Sequence, residues 1–514
     1  MGISVFEIIG PIMVGPSSSH TAGMARIGMM AGRIIDEAPC AIHLELSPKM
    51  KPIYAGHKSD AALIGGTIGM KENDASIRDA IAIANAKGIT TDVTMLPDER
   101  YPQNTARITV EDVDHAVWSV TGTSVGGGSI VISEVDLVPL TLNADAWHLV
   151  IWSQRELAAE NVPQEAKYQK GVRADGIVVS VLSFIERPDD KVVETLRLNR
   201  SVRKISVVQP VLEYGVSRPE QMTITSLKEA SREASREGIS LAELAVRYEM
   251  ARSGFSREDV VARMQLHLDQ MKKSVEMGKK NNQMLFNLTG GRDGFKLRTQ
   301  VESQSTISQG LIPKAVAMAL GVMEYNGAMG CLVAAPTAGS SGIVPGAMIT
   351  AQEAYGLSDE KVVEALFTAA LIGVIMAERD VSFSGSVGGC QGEVGVSSAI
   401  TAAGLAALFT DDSATILHAM AMCLKNLLGL VCDPIAGPIE VPCIKRNAVG
   451  VANAYISADM ALAGIRSYVP PDEVIDALVD VEKRLPTELK CGSCAGLAGT
   501  RTAVALRARL AANQ

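Results

Sequence analysis

The C-terminal region, residues 285–514, has the composition that most restricts how this chain can fold. It is rich in Ala, Gly, Met, Leu and Val, and it contains few aromatic residues and little alternation of apolar and polar positions. Small residues at close spacing let helices pack tightly, so we predict an all-α domain here. The stretches PTAGSSG and SGSVGGCQG do not suit a helix interior, and we place them in loops at helix ends, where backbone N–H groups can bind anions or cofactors.

The N-terminal region, residues 1–145, mixes two periodicities. Helical spacing and strand-like alternation both occur, the first in 21–36 and 75–87, the second in 41–46, 89–96 and 106–110. We therefore predict an α+β domain. Three consecutive glycines, Gly126 to Gly128, lead into an alternating run, and they indicate a bulge or a close backbone approach.

The middle of the chain divides into two parts. Residues 146–217 contain three β-rich runs, WHLVIW, GIVVSVLSFI and RKISVVQPVL, which flank two polar stretches that we predict to be helical. This pattern indicates a small βα domain. Residues 218–284 are rich in Ala, Glu, Arg and Met with single glycines as breaks, which predicts a helical connector.

The charge balance argues against polyanionic partners. The chain of 514 residues has 48 Lys and Arg against 57 Asp and Glu, a net charge of −9. We therefore expect no binding to nucleic acid or to anionic membranes. The uncharged run 365–377 is shorter than the roughly 18 residues of a membrane-spanning helix, and no basic segment precedes the first apolar stretch. We expect a cytoplasmic protein.

Two short segments combine His with hydroxyl or carboxyl side chains ahead of an apolar helix. Residues 15–23, GPSSSHTAG, offer several hydroxyls at the positive end of a helix, which suits a carboxylate or a phosphate. Alternatively, one serine caps the helix and the others are exposed. In residues 55–60, AGHKSD, His57 could transfer a proton with Asp60 to orient it, or Ser59 or Asp60 could be a helix cap.

The cysteines concentrate in the C-terminal region. Cys390, Cys432 and Cys443 each lie near a Gly or Pro that breaks regular structure, whereas Cys423 lies in a helical pattern. Loop thiolates from three separate places can bind an iron–sulfur cluster or zinc and leave one metal position open for Lewis-acid chemistry. Three unrelated core cysteines are the alternative. The pair Cys491 and Cys494 has CxxC spacing but no thioredoxin-like strand before it.

Several motifs together resemble those of one enzyme family. They are FEIIGPIMVGPSSSHTAGMARIG, TGTSVGGGSIVI, VAAPTAGSSGIVPG, GGCQGEVGVSSA and HAMAMCLKNLLGLVCDPIAGPIEVPCIKRNAVGVANA. The chain resembles the iron–sulfur-dependent L-serine dehydratases (L-serine ammonia-lyases), with the β and α parts fused. The resemblance implies an allosteric substrate-binding-like domain over 1–145, an ACT-like domain over 146–217 and a catalytic domain over 285–514. It also implies that Cys390, Cys432 and Cys443 hold a [4Fe–4S] cluster with one iron open.

The resemblance further implies a reaction and roles for residues. The reaction is the loss of water from L-serine, giving aminoacrylate that hydrolyses to pyruvate and ammonia, without pyridoxal phosphate. His57 becomes the leading proton-transfer candidate and His20 the second, and the active site would lie between domains. The implied substrate-binding residues are Ser17, Ser18, Ser19, His20, Thr21, Thr337, Gly339 and Ser340. We expect a protonated His20, because a bound carboxylate favours that form. By analogy we expect a homodimer or homotetramer.

The sequence departs from the family pattern at three places. Lys58 and Ser59 stand where Gly-Thr is usual, and Ser386 and Val387 stand where Ala-Glu is common. The chain ends in RLAANQ, without the terminal cysteine that some members use to occupy the open iron, and we expect neither Cys491 nor Cys494 to replace it. The alternatives are the same chemistry on L-threonine or L-cysteine, a non-catalytic amino-acid sensor, and a zinc protein.

Overall fold

The structure is a computed structural model of the chain, and it describes residues 2–51, 53–97, 101–212, 214–215, 218, 223–284, 287–435, 440–492 and 495–512. The chain forms two compact units. The helical unit comprises Met1–Ser18 and Ser217–Gln514, and the sheet unit comprises Ser19–Val216. The division into four domains that the sequence suggests remains a prediction.

The strands lie mainly in the first half of the chain. They are β1 Ile12–Val14, β2 Pro39–Leu46, β3 Thr90–Met95, β4 Thr105–Asp112, β5 Val117–Gly126, β6 Ser129–Val135, β7 Val138–Asn143, β8 Trp147–Ser153, β9 Lys167–Val172, β10 Val178–Phe184, β11 Val202–Val208 and β12 Cys331–Val333.

The helices dominate the second half of the chain. They are α1 Val5–Ile8, α2 Gly23–Ile35, α3 Ser59–Thr67, α4 Ala80–Ala86, α5 Asp190–Arg197, α6 Leu227–Glu237, α7 Leu241–Ser253, α8 Arg257–Lys280, α9 Asp293–Glu302, α10 Leu311–Gly327, α11 Ile343–Tyr355, α12 Asp359–Glu378, α13 Val396–Ala407, α14 Ser413–Lys425, α15 Cys443–Leu462, α16 Pro471–Arg484 and α17 Arg501–Ala512. Among the described residues, no helix is both long enough and apolar enough to cross a membrane.

The larger sheet of the sheet unit has the strand order β3-β2-β4-β5-β6-β7. Strands β2 and β3 are parallel and the other pairs are antiparallel. The predicted α+β character of this region is confirmed. The glycines Gly126 to Gly128 all have positive φ, and the β5–β6 pairing shifts its register next to them, as expected for a bulged hairpin.

The smaller sheet has the antiparallel order β11-β8-β10-β9. Helix α5 covers it, because Val193 and Leu196 pack against Leu149, Ile151 and Leu182 of the sheet. The three predicted β-rich runs are confirmed as β8, β10 and β11. The prediction of helix for the first polar stretch is wrong: it contains a short 3₁₀ turn and the edge strand β9, which hydrogen-bonds to β10.

Helices α2 and α3 of the sheet unit touch backbone to backbone. A Cβ at Gly66 would lie 2.8 Å from the amide nitrogen of Met29 and closer still to the carbonyl oxygen of Ala25. A Cβ at Gly28 would likewise clash with the backbone of α3, 2.9 Å from the amide nitrogen of Thr67. Glycine is therefore required at both positions because the opposing atoms belong to backbone.

The helical unit agrees with the predicted helical C-terminal region. Helix α12 is apolar around most of its circumference and its central residues are buried, as expected for a helix inside a helical core. One element differs from an all-α domain. The three-residue strand β12 pairs antiparallel with β1 from the start of the chain, and the pairing is extended by a hydrogen bond from Ala334 N to Pro11 O of 2.9 Å.

Candidate functional site

Four cysteines of the helical unit converge, and we call them the thiol cluster: Cys390, Cys432, Cys443 and Cys491. Cys390 immediately precedes the helical turn that leads into α13, Cys432 lies in the loop after α14, and Cys443 is the first residue of α15. All three are buried, and Cys491 is half-buried. The sulfurs of Cys390 and Cys432 lie within 4.8 Å of each other, and the charges of Cys390 and Cys491 act on Cys443. Loops and helix ends therefore bring the three predicted ligands into one place.

Neighbouring thiols contribute to a raised pKa at Cys432 and at Cys443. The neighbouring thiols of Cys390 and Cys491, followed by burial, raise the pKa of the Cys432 thiol well above its usual value. Burial, followed by the charge of Cys390, raises the pKa of Cys443. A bound metal ion deprotonates the thiols that coordinate it, so it would stabilise their thiolate forms. The donor set therefore fits a sulfur-ligated metal centre.

Arg446 supplies a fixed positive charge to the thiol cluster. Its Nη1 donates to the sulfur of Cys390 at 3.3 Å and to the carbonyl oxygen of Val431 at 2.7 Å, and its Nη2 donates to Asp433 at 2.7 Å. Asp433 in turn accepts from the backbone N–H of Leu497 at 2.8 Å. The planar guanidinium thus ties a thiol to the loop that carries Cys432.

Glu393 is a site residue that the sequence reasoning missed. Its carboxylate lies within 4.8 Å of the sulfurs of Cys390 and Cys432. Burial raises the pKa of Glu393 to about 7, although the Thr337 hydrogen bond and the charge of Arg446 oppose this shift. The sequence contained a signal for Glu393. It lies three residues after Cys390, and residues three apart share one face of a helical turn.

The loop of Thr337, Gly339 and Ser340 lies beside this carboxylate. A Cβ on Gly339 would be 3.7 Å from the nearer carboxylate oxygen of Glu393, which is ordinary van der Waals contact. Asn447 of α15 fixes the loop by donating to the carbonyl oxygen of Gly339 at 2.9 Å and accepting from the N–H of Gly342 at 3.1 Å. As predicted, the glycine-rich stretch forms a loop at the N-terminal end of α11.

Two hydrogen bonds join the serine-rich segment, residues 15–23, to the segment that contains His57, residues 55–60. The hydroxyl of Thr21 donates to the carbonyl oxygen of His57 at 2.8 Å, and the hydroxyl of Ser59 donates to that of His20 at 2.7 Å. The two imidazole rings stack with their centroids 4.9 Å apart. We call His20 and His57 the histidine pair. Its residues are buried, as are Ser19 and Thr21.

The capping alternatives for these two segments are not supported. Residues Ser18–Ala22 form a π-helical turn that runs into α2, with Ala22 at the cap position. Lys58 occupies the cap position of α3 with a left-handed backbone. Within the described residues, no side chain at either cap position hydrogen-bonds to the first turn. The hydroxyls of Thr21 and Ser59 instead join the two segments.

Burial keeps the histidine pair neutral. It lowers the pKa of His20 to about 3, with His57 as the second cause, and it also lowers the pKa of His57. The result for His20 is opposite to the protonated form that we expected. The Nδ1 of His57 lies 2.9 Å from the carbonyl oxygen of Ile53. This contact favours the tautomer with hydrogen on Nδ1, which leaves a lone pair on Nε2 for accepting a proton.

The other cysteines differ from the thiol cluster. Cys423 lies in α14, and burial raises its pKa to about 12, which confirms the predicted helical core thiol. Cys494 lies outside the described residues. Cys491, which we did not expect to replace the terminal cysteine, is one of the neighbours that raise the pKa of Cys432.

These features define a multidomain enzyme with a cysteine-rich site in its helical part and a buried histidine pair in its sheet-rich part. The family model "Serine dehydratase alpha chain" matches residues 236–498, just over half of the chain. The chain belongs to the serine dehydratase family, and it joins the β and α parts in one polypeptide. The resemblance to the L-serine dehydratases, with the β and α parts fused, is thereby confirmed.

Three relatives illustrate how far the similarity extends. The probable L-serine dehydratase alpha chain of Bacillus subtilis is 42% identical over 264 residues, which are 51% of this chain and 87% of that protein. The probable beta chain of the same organism is 42% identical over 144 residues, 28% of this chain and 64% of that one. L-serine dehydratase 2 of Escherichia coli is 26% identical over 529 aligned residues, 96% of this chain and 98% of that protein.

Proposed function

We propose that this enzyme deaminates L-serine to pyruvate and ammonia, as an L-serine ammonia-lyase that works without pyridoxal phosphate. Membership of the serine dehydratase family and the printed names of the relatives support the substrate and the reaction. The observation that carries the chemical proposal is the approach of the buried Cys390 and Cys432 sulfurs to within 4.8 Å, with Arg446 donating to Cys390. A pure amino-acid sensor would have no use for such a site.

We propose a [4Fe–4S] cluster as the cofactor, held by Cys390, Cys432 and Cys443. When bound, such a cluster supplies a Lewis acid for the departing hydroxyl of serine. Arg446 holds the Cys390 sulfur and the Cys432 loop in place and offsets thiolate charge. Asn447 fixes the loop of Thr337, Gly339 and Ser340, which we propose as part of the substrate-binding site.

We propose that the histidine pair and the serine-rich segment handle the Cα proton and the carboxylate of the substrate. Burial favours neutral His57, and a neutral imidazole with a free Nε2 lone pair is a competent base. His20 stacks on His57 and fixes its position. Hydroxyls and backbone N–H groups of Ser17, Ser18, Ser19 and Thr21 precede α2, where the helix dipole favours an anion.

The smaller sheet supports the proposal of an ACT-like domain. Numbered from β8, its strands lie in the order 4-1-3-2 with a helix between the third and fourth, as in a split βαβ arrangement. The domain departs from this arrangement in the connection between β8 and β9. A helix is expected there, and the described residues form a 3₁₀ turn instead. By analogy with other enzymes of this kind, we propose that the protein is a homodimer or homotetramer.

Anaerobic purification tests the cofactor and the reaction together. We expect a brown protein with about four irons per chain that releases pyruvate from L-serine faster than it releases the corresponding 2-oxo acid from L-threonine or L-cysteine. A colourless protein with bound zinc would refute the cluster. A cluster-loaded protein that prefers threonine or cysteine would keep the chemistry and refute the substrate.

A further inference from the structure

A cysteine, a glutamate and a histidine of the sheet unit come together, and none of them belongs to the histidine pair or to the serine-rich segment. The sulfur of Cys40, a carboxylate oxygen of Glu111 and a ring nitrogen of His115 all lie within 4.8 Å of one another. Cys40 is in β2, Glu111 is in β4, and His115 is in the turn between β4 and β5. We call these three residues the hairpin triad. Their side chains offer the sulfur, oxygen and nitrogen ligands that Zn²⁺ takes in proteins.

An irregularity in the ladder between β2 and β4 sets the position of Cys40. Pro39 pairs with Asp112 and Ala41 pairs with Glu111, so Cys40 is an extra residue between two consecutive pairs. Bulges of this kind change the direction of a side chain. The Cys40 sulfur donates to the carbonyl oxygen of Asp112 at 3.2 Å, which brings it to the start of the β4–β5 turn.

The turn that carries His115 is held by Asp112. The carboxylate of Asp112 accepts from the N–H groups of Asp114 and Ala116, at 2.9 Å each. The N–H of His115 donates to the carbonyl oxygen of Asp112 at 3.0 Å. The Nδ1 of His115 contacts the carboxylate of Glu111. The hydrogen bonds of the turn therefore keep the imidazole beside the carboxylate.

We propose that the hairpin triad binds one zinc ion. The Cys40 thiol gives its proton to solvent and donates a sulfur lone pair to zinc, so the step involves no oxidation or reduction. Glu111 and His115 supply the second and third ligands, and water takes the fourth position of the tetrahedral ion. The bound ion ties β2 to the β4–β5 hairpin. The proposal is independent of the proposed cofactor, because these ligands belong to the sheet unit and the thiol cluster belongs to the helical unit.

Equilibrium dialysis against buffered zinc measures binding without reference to activity. The full-length protein is dialysed under anaerobic conditions, and the zinc bound per chain is measured at each free zinc concentration. Loss of a ligand should weaken binding at least as much as loss of an outer-shell partner does, by about 10–100-fold, in Cys40→Ser and in His115→Ala. Zinc that enters the thiol cluster adds equally to every variant and cancels in the comparison.

His43→Ala is the matched control for the histidine. His43 also contacts a carboxylate, that of Asp92 on the neighbouring strand β3, but among the described residues it belongs to no such group of three ligands. Zinc binding by His43→Ala should therefore equal that of the wild type. Equal binding by the wild type, Cys40→Ser and His115→Ala would overturn the proposal.

Alkylation of Cys40 tests ligation at the sulfur itself and needs no variant of that residue. Zinc should slow the labelling of Cys40 by iodoacetamide in the wild type roughly tenfold, because a metal-bound thiolate is a poorer nucleophile than a free one. This protection should be lost in Glu111→Gln, which keeps the thiol. Cys331, a half-buried cysteine of the helical unit, is the internal control and should label at the same rate with and without zinc. Labelling of Cys40 that zinc does not slow would overturn the proposal.

Discussion

Replacing Gly66 by alanine should loosen the pair of helices that carries the histidine pair. The added methyl would lie 2.8 Å from the Met29 amide nitrogen and closer to the Ala25 carbonyl oxygen. Ordinary van der Waals contacts are about 3.5 Å or longer. Both opposing atoms belong to the backbone of α2, so the helices must separate. Because His20 precedes α2 and His57 precedes α3, their stacking should weaken as well.

The size of the effect follows from two opposing contributions. Overpacking costs typically 1–3 kcal/mol, and an obstacle made of backbone favours the upper end, about 3 kcal/mol. Alanine has a higher helix propensity than glycine, which stabilises α3 by about 1 kcal/mol. The net loss of about 2 kcal/mol corresponds to roughly 30-fold more frequent opening of the helix pair.

Hydrogen exchange followed by mass spectrometry measures this opening in the full-length protein. Peptides from α2 and α3 should exchange roughly 30-fold faster in Gly66→Ala than in the wild type. Gly65→Ala is the matched control, because it adds the same methyl to the same helix but meets the side chains of Met70 and Ala80, of which Met70 can move. Equal exchange in Gly65→Ala and Gly66→Ala would refute the argument that backbone contact requires glycine at residue 66.

Three further predictions concern the site. Bound iron and pyruvate formation should both be lost in each of the variants Cys390→Ser, Cys432→Ser and Cys443→Ser, whereas Cys423→Ser should keep most of both. If one of the first three variants retained iron, its cysteine would not be a ligand. His57→Ala should lower kcat by about 10²–10⁴-fold and slow solvent exchange of the serine α-hydrogen, while the exposed His43→Ala should change neither; rapid exchange in His57→Ala would move the base to another residue. Because the pKa of His20 falls from 6.5 to about 3 on folding, the unfolded chain binds more protons below pH 6.5. Urea unfolding should therefore show stability decreasing with falling pH, by at most about 1.4 kcal/mol per unit for this group, and His20→Asn should flatten that slope; an unchanged slope would contradict the buried neutral His20.

The sequence predicted those parts of the fold that depend on local patterns. Apolar periodicity located β8, β10 and β11 and the helical C-terminal region. It failed at β9, because Lys167–Val172 is a half-exposed edge strand with no buried face and therefore no apolar alternation. It also missed β1, since a three-residue strand is defined by its distant partner β12 and carries no pattern of its own.

In the candidate site, too, the sequence predicted only those residues that have a local sequence signal. Cys390, Cys432 and Cys443 could be selected because glycine or proline interrupts the helical pattern near each of them. The position of Cys491 had no such signal, because backbone hydrogen bonds between residues distant in sequence set it, among them the one from Cys491 N to Gly385 O. The neutral state of His20 was likewise hidden, since burial by surrounding elements sets it and the neighbouring residues in sequence do not.

The pairing of β1 with β12 makes the helical unit discontinuous along the polypeptide. During synthesis, residues 12–14 leave the ribosome early but cannot complete their ladder until residue 333 has emerged, so this unit finishes folding only after the whole intervening segment has been made. A cut in the chain between the two units would leave β1 on one fragment and β12 on the other. The fragments would then be joined by strand addition, and coexpression of such halves should yield a noncovalent complex that Val14→Pro weakens.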